Sequence, residues 1–327
     1  MVKSKTYRGY GKIFFGLTAL VLAASAAYLL VDSKMYNPRL FEFALKLRIP
    51  TLLVMMIAAF AIGGASIVFQ SIINNRIVTP CLLGMNSMYS LVHTAVVFFV
   101  GSGSVIAVNT NLSFAIDLVI MGITATFIYG YLFQKTNHNV LYVLLIGTVL
   151  SSFFGSIQST LVRVMDPNEY DTLLVSLVAD FNNVNSGIIL FSLLLLAALV
   201  FFLRKDLALL DVITLGKDQA INLGVDYDRT VRRLLLGVVL CIAVATAMVG
   251  PVSFLGLIIA NIARQMLKTY RHIWLIAGAA LVGMAAIIAG QLIMEHVFSF
   301  AVPISTFITI GGGIYFLYLL LFKKGEC

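Results

Sequence analysis

The fold of this chain is constrained most by a series of apolar stretches that are each long enough to cross a lipid bilayer. Nine of them have about the 17 to 25 residues that a membrane-spanning helix needs, and they cover residues 13–31, 50–72, 82–100, 112–133, 140–164, 187–203, 231–248, 273–294 and 306–322. A tenth stretch, residues 254–266, is shorter. Because the bilayer interior holds no water to bind backbone N–H and C=O groups, segments of this kind must be helical. The sequence therefore predicts an all-α polytopic membrane protein with about ten transmembrane helices.

Composition predicts that almost the whole chain lies in this membrane domain. Mean hydropathy is +1.02 and charged residues make up 11% of the chain, whereas soluble domains contain about 25%. We therefore expect a single transmembrane domain over residues 1–327. The Lys-rich start followed by Ala24-Ser25-Ala26 also fits a cleaved signal peptide, but nine further spans favour a retained first helix.

The distribution of Lys and Arg predicts the orientation, because cytoplasmic loops carry the excess of these residues. With ten spans and a cytoplasmic N-terminus, seventeen of the 22 basic residues face the cytoplasm. The five that would lie outside are Lys34, Arg39, Lys46, Arg48 and Arg163. With nine spans, Lys323 and Lys324 would join the external side. We therefore predict a multi-pass protein of the plasma membrane with both termini in the cytoplasm. This sorting explains the net charge of +8 without nucleic acid as a partner.

Small residues line two of the spans, and in lipid such positions let helices approach closely. They are Ala58, Ala59, Ala61, Gly63, Gly64, Ala65 and Ser66 in the stretch 50–72, and Gly278, Ala279, Gly283, Ala286 and Gly290 in the stretch 273–294. We expect these faces to be buried in a compact bundle, as in a channel or transporter. The connection 165–184 carries four acidic residues and no Lys or Arg, and it predicts a short helix at the outer surface.

Signatures of catalysis and metal binding are missing from the sequence. It contains no GxxxxGK[ST], HExxH or GxSxG motif. The histidines His93, His138, His272 and His296 and the cysteines Cys81, Cys241 and Cys327 are too scattered for a metal site or a disulfide framework. Asp117 and Glu295 lie near the external ends of spans, where we expect them to be solvated. The chain is therefore expected to bind no cofactor or metal and not to be an enzyme.

The main polar feature is a thirty-residue segment, Arg204–Arg233, which holds eleven of the 36 charged side chains. Within it, Thr214 or Gly216 can begin a short helix, and Gly224 can end that helix in the left-handed conformation. Asp226 can then cap the next helix. The segment has six basic and five acidic residues, and such a mixed surface suits a protein partner better than phosphate groups.

Four segments, spread over the chain in order, resemble the FecCD-type permease subunits of iron-siderophore, haem and vitamin B12 ABC importers. Leu215-Gly216-Lys-Asp-Gln-Ala220-Ile-Asn-Leu223-Gly224-Val225 is similar to the coupling segment LGxxxAxxLGV of that family. Leu47-Arg48-Ile-Pro50, followed by Gly64, Gln70, Asn75 and Thr79-Pro80-Cys-Leu-Leu-Gly84, resembles RxPR...G...Q...NPLAxPxLLG. Gly250-Pro251-Val-Ser-Phe254-Leu-Gly256, continuing to Arg264, resembles GPIxFVGLIxPHxxR. Pro303 and Ile310-Gly311-Gly-Gly-Ile-Tyr-Phe316 resemble the terminal P and IGxPxF.

The resemblance implies a fold like that of the vitamin B12 importer permease and a definite set of partners. A permease of this family pairs with a second permease, two cytoplasmic ATPases use the ATP, and an external lipoprotein delivers the ferric siderophore. The segment that would contact an ATPase comprises Leu215, Gly216, Lys217, Asp218, Gln219, Ala220, Leu223 and Gly224, and Lys46 and Arg48 would bind the lipoprotein. The remaining motif residues, expected to shape the pathway or the structure, are Gly64, Gln70, Asn75, Pro80, Gly84, Gly250, Pro251, Phe254, Gly256, Arg264, Pro303 and Gly311.

Departures from the family pattern refine these expectations. Thr51 replaces the second Arg of RxPR, Arg76 stands where the family has Pro, and Ala260-Asn261 stands where it has Pro-His. These changes resemble the branch that serves anguibactin- and petrobactin-like siderophores, in which two different permeases pair, so a heterodimer is expected.

Three other functions are compatible with a polytopic membrane protein. A haem or cobalamin permease shares the same motifs. A secondary transporter should carry intramembrane acidic relays or broken helices in repeated halves, of which the sequence shows little. An intramembrane enzyme or assembly scaffold is a third alternative, and the lack of a catalytic constellation argues against the enzyme.

Overall fold

The computed structural model describes residues 2–31, 38–101, 103–104, 109–135, 140–181, 186–299 and 302–322. Within these ranges the regular structure is entirely helical. Several residues used above to predict topology or to exclude metal binding lie outside them, namely Lys34, His138, Lys323, Lys324 and Cys327.

Twelve α-helices and one 3₁₀ turn make up the described fold. They are α1 (Val2–Leu30), α2 (Pro38–Ile73), the 3₁₀ turn (Pro80–Leu83), α3 (Met85–Val100), α4 (Thr110–Lys135), α5 (Val140–Val164), α6 (Pro167–Leu177), α7 (Ser186–Ile213), α8 (Lys217–Asn222), α9 (Tyr227–Val249), α10 (Leu255–Leu267), α11 (His272–His296) and α12 (Ile304–Phe322).

Ten of these helices correspond to the predicted spans. Seven are long and apolar enough to cross a membrane, and α3, α10 and α12 are shorter apolar helices. The shorter stretch 254–266 forms the separate helix α10. The residues that flank this helix, Phe254 and Lys268, are both in the left-handed conformation. The predicted short external helix is α6, whose first turn is capped by the Asp166 side chain through the backbone N–H of Asn168.

Helix α2 lies at the centre of the bundle, and small residues let its neighbours approach it. A Cβ added to Gly63 would lie 3.2 Å from the backbone oxygen of Ala279 in α11. One added to Gly256 in α10 would meet Ser66 of α2, and one added to Gly283 would lie 3.3 Å from the Cβ of Ala59. The prediction of buried small-residue faces is confirmed for these positions, whereas Ala286 is exposed.

At one end of the bundle, which we call the Arg48 end, three helices are joined by Arg48. Its guanidinium donates to Glu295 of α11 and to the backbone oxygen of Tyr28 in α1, and it donates to the oxygen of Val31 at 2.7 Å. The side chains of Arg48 and Glu295 are only 14% and 16% exposed. Glu295 is therefore paired within the protein, and the prediction that it is solvated at the interface is wrong. The opposite end, which contains Arg264, is called the Arg264 end below.

Asp117 is also buried, and it belongs to a chain of three polar side chains that the sequence did not suggest. Its Oδ2 lies 2.6 Å from Nδ1 of His93, and Nε2 of His93 lies 2.9 Å from the Ser176 hydroxyl in α6. Asp117 is 3% exposed and its Oδ1 has no partner among the described residues. The expected interfacial solvation of Asp117 is therefore wrong: one carboxylate oxygen pairs with His93 inside the bundle, and the three side chains link α4 and α3 to α6.

We predict that Gly63→Leu destabilises the bundle. The added side chain faces the backbone of α11, which cannot rotate away, and overpacking of this kind costs about 1–3 kcal/mol. The measurement is thermal unfolding of the purified protein in detergent by circular dichroism. Gly130→Leu is the matched control because nothing lies within 4 Å of a Cβ at Gly130; equal loss of stability in the two variants would contradict the packing argument.

We predict that His93→Leu loosens α6. Loss of the hydrogen bond between His93 and the neutral Ser176 hydroxyl costs about 0.5–1.5 kcal/mol, which corresponds to about a two- to tenfold increase in local opening. Leu173 of α6 is 1% exposed, whereas Val175 is 70% exposed. Maleimide labelling of Leu173→Cys should therefore accelerate in the His93→Leu background, while Val175→Cys labels equally fast in both backgrounds. Unchanged labelling at position 173 would show that His93 does not hold α6.

Candidate functional site

The predicted coupling segment, residues 215–225, forms a rigid turn–helix–turn at the Arg264 end. Helix α8 begins after Gly216, whose φ is 103°, and it is followed by Gly224, whose φ is 83°. Both values lie in a region that favours glycine. The N–H of Gly224 donates to Ile221 and that of Val225 donates to Ala220, the two bonds of a Schellman end. The predicted glycine cap and the predicted cap of α9 by Asp226, which accepts from the N–H of Arg229, are both confirmed.

One side of this segment packs and the other is apolar and uncovered. Ala220 is completely buried between the segment and its flanking helices. Leu215, Ile221 and Leu223 are 52%, 51% and 63% exposed. Lys217, the basic residue of the segment, is paired, because its Nζ lies 3.0 Å from Oδ1 of Asp228 in α9; Asp218 is the other charged residue of the segment. The segment therefore presents three aliphatic side chains on a surface with little free charge.

The flanks of the polar segment connect it to the bundle. The sequence placed the end of the preceding span near Leu203, but α7 continues to Ile213 and carries Arg204, Lys205 and Asp206 beyond it. Asp211 Oδ1 accepts from the backbone N–H of His272 at 2.9 Å and lies 2.6 Å from its ring Nδ1. This contact fixes the end of α7 to the first residue of α11.

Next to the segment is a polar cleft in which residues from two of the sequence motifs meet. Arg264 of α10 donates through Nε to Gln70 Oε1 at 3.4 Å and through Nη2 to the Ser71 hydroxyl at 3.1 Å. Gln70 and Asn261 both donate to the backbone oxygen of Arg76, at 2.8 and 3.0 Å. Asn75 closes the turn after α2 by accepting from the N–H of Ile77. Gln70, Asn75 and Arg264 thus form one junction, although about 190 residues separate Arg264 from the other two in sequence.

The motif glycines and prolines between these regions mark close backbone contacts. Gly84, with φ 94°, lies so near α5 that an added Cβ would be 3.1 Å from the Ser151 nitrogen. Pro80 begins the 3₁₀ turn that precedes it. At Gly250, with φ 83°, an added Cβ would be 2.9 Å from Cα of Ala179. Phe254 contacts Gly312 in α12, where an added Cβ would lie 2.3 Å from the Phe254 Cβ.

Other motif residues have less contact. Gly64 has space, with Ile276 3.6 Å from an added Cβ, and Gly311 has nothing within 4 Å. Pro303 is exposed, and Pro251 is partly buried in the turn before α10. Sequence comparison therefore selected Gly311, whereas the structure shows that the adjacent Gly312 makes the helix contact.

The two residues proposed from the sequence to bind an external partner differ in their surroundings. Lys46 is 72% exposed and pairs with Glu42 one turn earlier in α2. Arg48 is held by Glu295, Tyr28 and Val31 as described above. The guanidinium also lies 5.3 Å from the centre of the Tyr28 ring. The side chain of Lys46 is thus accessible, and that of Arg48 is occupied within the protein.

Helix α5 carries a row of hydroxyl groups that the sequence pattern concealed among apolar residues. Thr148, Ser152, Ser156 and Thr160 follow one another at four-residue intervals on its exposed side. Each hydroxyl donates to a backbone oxygen three or four residues earlier, at 2.8–3.1 Å. The row is therefore polar but has no strong unsatisfied donor, which is suited to a surface that contacts a passing solute without retaining it.

Metal or thiol chemistry has no evident place in the described part of the chain. No group of three potential metal-ligating side chains occurs among the residues that the structure describes. Cys81 and Cys241 are free, and burial raises the pKa of the Cys81 thiol to about 12, so this thiol stays protonated and unreactive.

The polar chain His93–Asp117–Ser176 was not found from the sequence, because its members lie on three different helices.

Known proteins resemble this chain over nearly its whole length. The family model described as the FecCD transport family matches residues 10–322. The chain is 36% identical to the petrobactin import system permease protein YclO of Bacillus subtilis (strain 168), over 86% of this chain and 89% of that protein. It is 31% identical to the petrobactin import system permease protein FatC of Bacillus anthracis, over 98% and 91%.

A solved structure confirms the fold. An inward-facing conformation of a putative metal-chelate type ABC transporter superposes with a TM-score of 0.77 at 22% sequence identity, covering 95% of this chain and 99% of that one. The all-α architecture and its order of spans are therefore those expected from the sequence motifs. With a family model that matches almost all of its residues and two curated relatives above 30% identity, the chain belongs to the FecCD transport family.

Proposed function

We propose that this protein is the membrane-spanning subunit of an ATP-driven importer of ferric siderophores. The observation that carries the proposal is the exposed aliphatic surface of the coupling segment, Leu215, Ile221 and Leu223, held between two glycines of positive φ. These three exposed aliphatic side chains are grouped on one short, rigidly capped turn, and an exposed apolar patch of this kind favours a protein partner. The partners are two cytoplasmic ATPases, since the chain lacks a phosphate-binding loop.

In this mechanism the ATPases move the coupling segment and the bundle responds. Ala220 is buried against the flanking helices, so the segment moves together with α7 and α9. The contact of Asp211 with His272 then carries the motion to α11, which packs against the central helix α2 through Gly63 and Gly283. A rigid connection is needed because a flexible segment would absorb the displacement.

The hydroxyl row of α5 supports a position for the translocation pathway. This helix is among the least buried of the long apolar helices, and its uncovered side is the one that carries Thr148 and Ser152. We propose that a second, different permease faces α5 and α12, and that the chelate passes between the two subunits. Because each hydroxyl already donates to its own helix, the pathway binds a bulky chelate weakly and lets it move on.

Delivery of the chelate is proposed to involve an external lipoprotein that docks at the Arg48 end. The accessible ammonium group of Lys46 would attract a carboxylate of that protein. Arg48 would act with it only after exchanging Glu295 for the incoming carboxylate, since Glu295 occupies it here. This arrangement requires both termini to be cytoplasmic, as the positive-inside rule predicts.

The substrate class rests on the relatives, two of which are named as petrobactin import permeases. An ion-driven secondary transporter is disfavoured by the buried acidic residues that the structure describes in the spans. Asp117 is paired with His93 and Glu295 with Arg48, so neither forms part of a continuous relay across the bundle.

We predict that the double substitution Leu215→Gln and Leu223→Gln abolishes stable ATPase binding. Burial of a Leu side chain contributes about 1.5–3 kcal/mol, so loss of two such contacts weakens binding by at least about a hundredfold. The measurement is co-purification of the ATPase together with uptake of labelled ferric siderophore in cells. Met266→Gln is the control, as Met266 is also exposed at the Arg264 end but lies outside the segment. Normal uptake in the double variant at normal expression would sink the coupling role.

We predict that Thr148→Phe obstructs transport without unfolding the protein. The aromatic ring would project from the exposed side of α5 into the proposed pathway, and uptake should fall at least about tenfold while ATPase binding is retained. Thr18→Phe is the matched control, because Thr18 of α1 is likewise exposed and likewise donates to backbone oxygens of its own helix, those of Phe14 and Phe15. Equal uptake in the two variants would place the pathway elsewhere.

A further inference from the structure

We propose that the polar cleft at the Arg264 end is a receptor site for an acidic side chain of the ATPase, separate from the apolar contact on the coupling segment. The inference rests on the proposed function, since it names a second contact of the same partner. The site consists of Arg264, Arg76 and the neutral side chains around them.

The cleft is large and its charged lining is basic. Its volume is about 1090 Å³, and the residues that the structure describes in its walls include Arg76, Arg264 and Lys268 but no Asp or Glu. His272, which lines the cleft, is paired with Asp211, whose side chain is not part of the described lining. A space of this size admits several side chains of a partner, and its charge selects a negative one.

Arg264 lies in this cleft without a carboxylate partner among the described residues. Its hydrogen bonds go to the neutral oxygens of Gln70 and Ser71, which leaves three of the five guanidinium N–H donors without a partner among the described residues. The side chain is partly buried, and a buried cation is destabilising unless it is paired. An incoming carboxylate would meet the planar guanidinium in the bidentate geometry that Arg favours.

The neighbouring positive charge strengthens the argument. Arg76 is close enough to Arg264 for the two charges to interact unfavourably. The loop that carries Arg76 is nevertheless held in place, because Gln70 and Asn261 both donate to its backbone oxygen. An anion that binds Arg264 would also be attracted by the nearby charge of Arg76, and the site is organised before the anion arrives.

The position of the cleft favours a protein as the source of the anion. Thr214 forms part of its wall and is followed directly by the exposed Leu215. A partner that covers Leu215 therefore also lies over the mouth of the cleft. The apolar contact would supply affinity, and the charge pair would fix the orientation of the ATPase and the salt dependence of its binding.

The test measures binding of the purified ATPase to this permease, assembled with its partner permease in nanodiscs of zwitterionic lipid, at several NaCl concentrations. Arg264→Gln and Arg76→Gln should each weaken binding at least about tenfold at low salt and flatten its salt dependence. Arg264→Lys should recover part of the loss. Arg271→Gln is the control and should bind like the wild type. Arg271 is an exposed cation in the loop between α10 and α11, and it does not line the cleft.

A charge-reversal screen identifies the partner residue. Arg264→Glu should lose binding, and one Asp→Lys or Glu→Lys substitution on the ATPase should restore it. Wild-type affinity and salt dependence in Arg264→Gln and Arg76→Gln, or failure of every ATPase reversal, would overturn the inference. It would also be overturned if the variants bound the ATPase normally in these nanodiscs but, unlike the wild type, did not respond when anionic lipid was included, because the cleft would then hold a lipid headgroup. If the wild type failed to bind the ATPase, the proposed function itself would be wrong.

Discussion

The close approach of α2 to α10 and α11 is the interaction on which the rest of the structure depends. In lipid, apolar side chains gain little from leaving one apolar environment for another, so helices associate through tight packing. Gly63, Gly256 and Gly283 remove the side chains that would keep these three helices apart. The central helix is consequently enclosed, and helices such as α5 retain an uncovered side that a second subunit or a solute can contact.

The two ends of this packed centre are finished by polar contacts of different kinds. At the Arg48 end, one guanidinium is satisfied by a carboxylate and two backbone oxygens, which closes the junction of α1, α2 and α11. At the Arg264 end, the guanidinium donates to the neutral oxygens of Gln70 and Ser71 and lines a wide cleft. The two arginines therefore differ in their surroundings. Arg48 is neutralised within the protein, whereas Arg264 retains N–H donors that have no partner among the described residues.

Several features of the fold and site were predictable because they depend on local sequence. The apolar stretches, the glycines at 216 and 224 and the cap at Asp226 each act over a few residues, and the structure contains them where the sequence placed them. The family motifs also indicated that Gln70, Asn75 and Arg264 matter, but not that they meet. Long-range contacts were the errors: Asp117 and Glu295 were expected at solvated interfaces, and both are paired inside the protein.

The sequence by itself determined the membrane environment, the number and order of the helices, and the short capped segment between α7 and α9. These follow from hydrophobic length, charge sorting and backbone conformation, which are properties of neighbouring residues. The tertiary structure alone decided which side of each helix is covered, which charges are neutralised, and which remain available. The sequence does not distinguish the surroundings of Arg48 from those of Arg264; the two differ because Glu295 pairs with the first, whereas the hydrogen bonds of the second among the described residues go to Gln70 and Ser71.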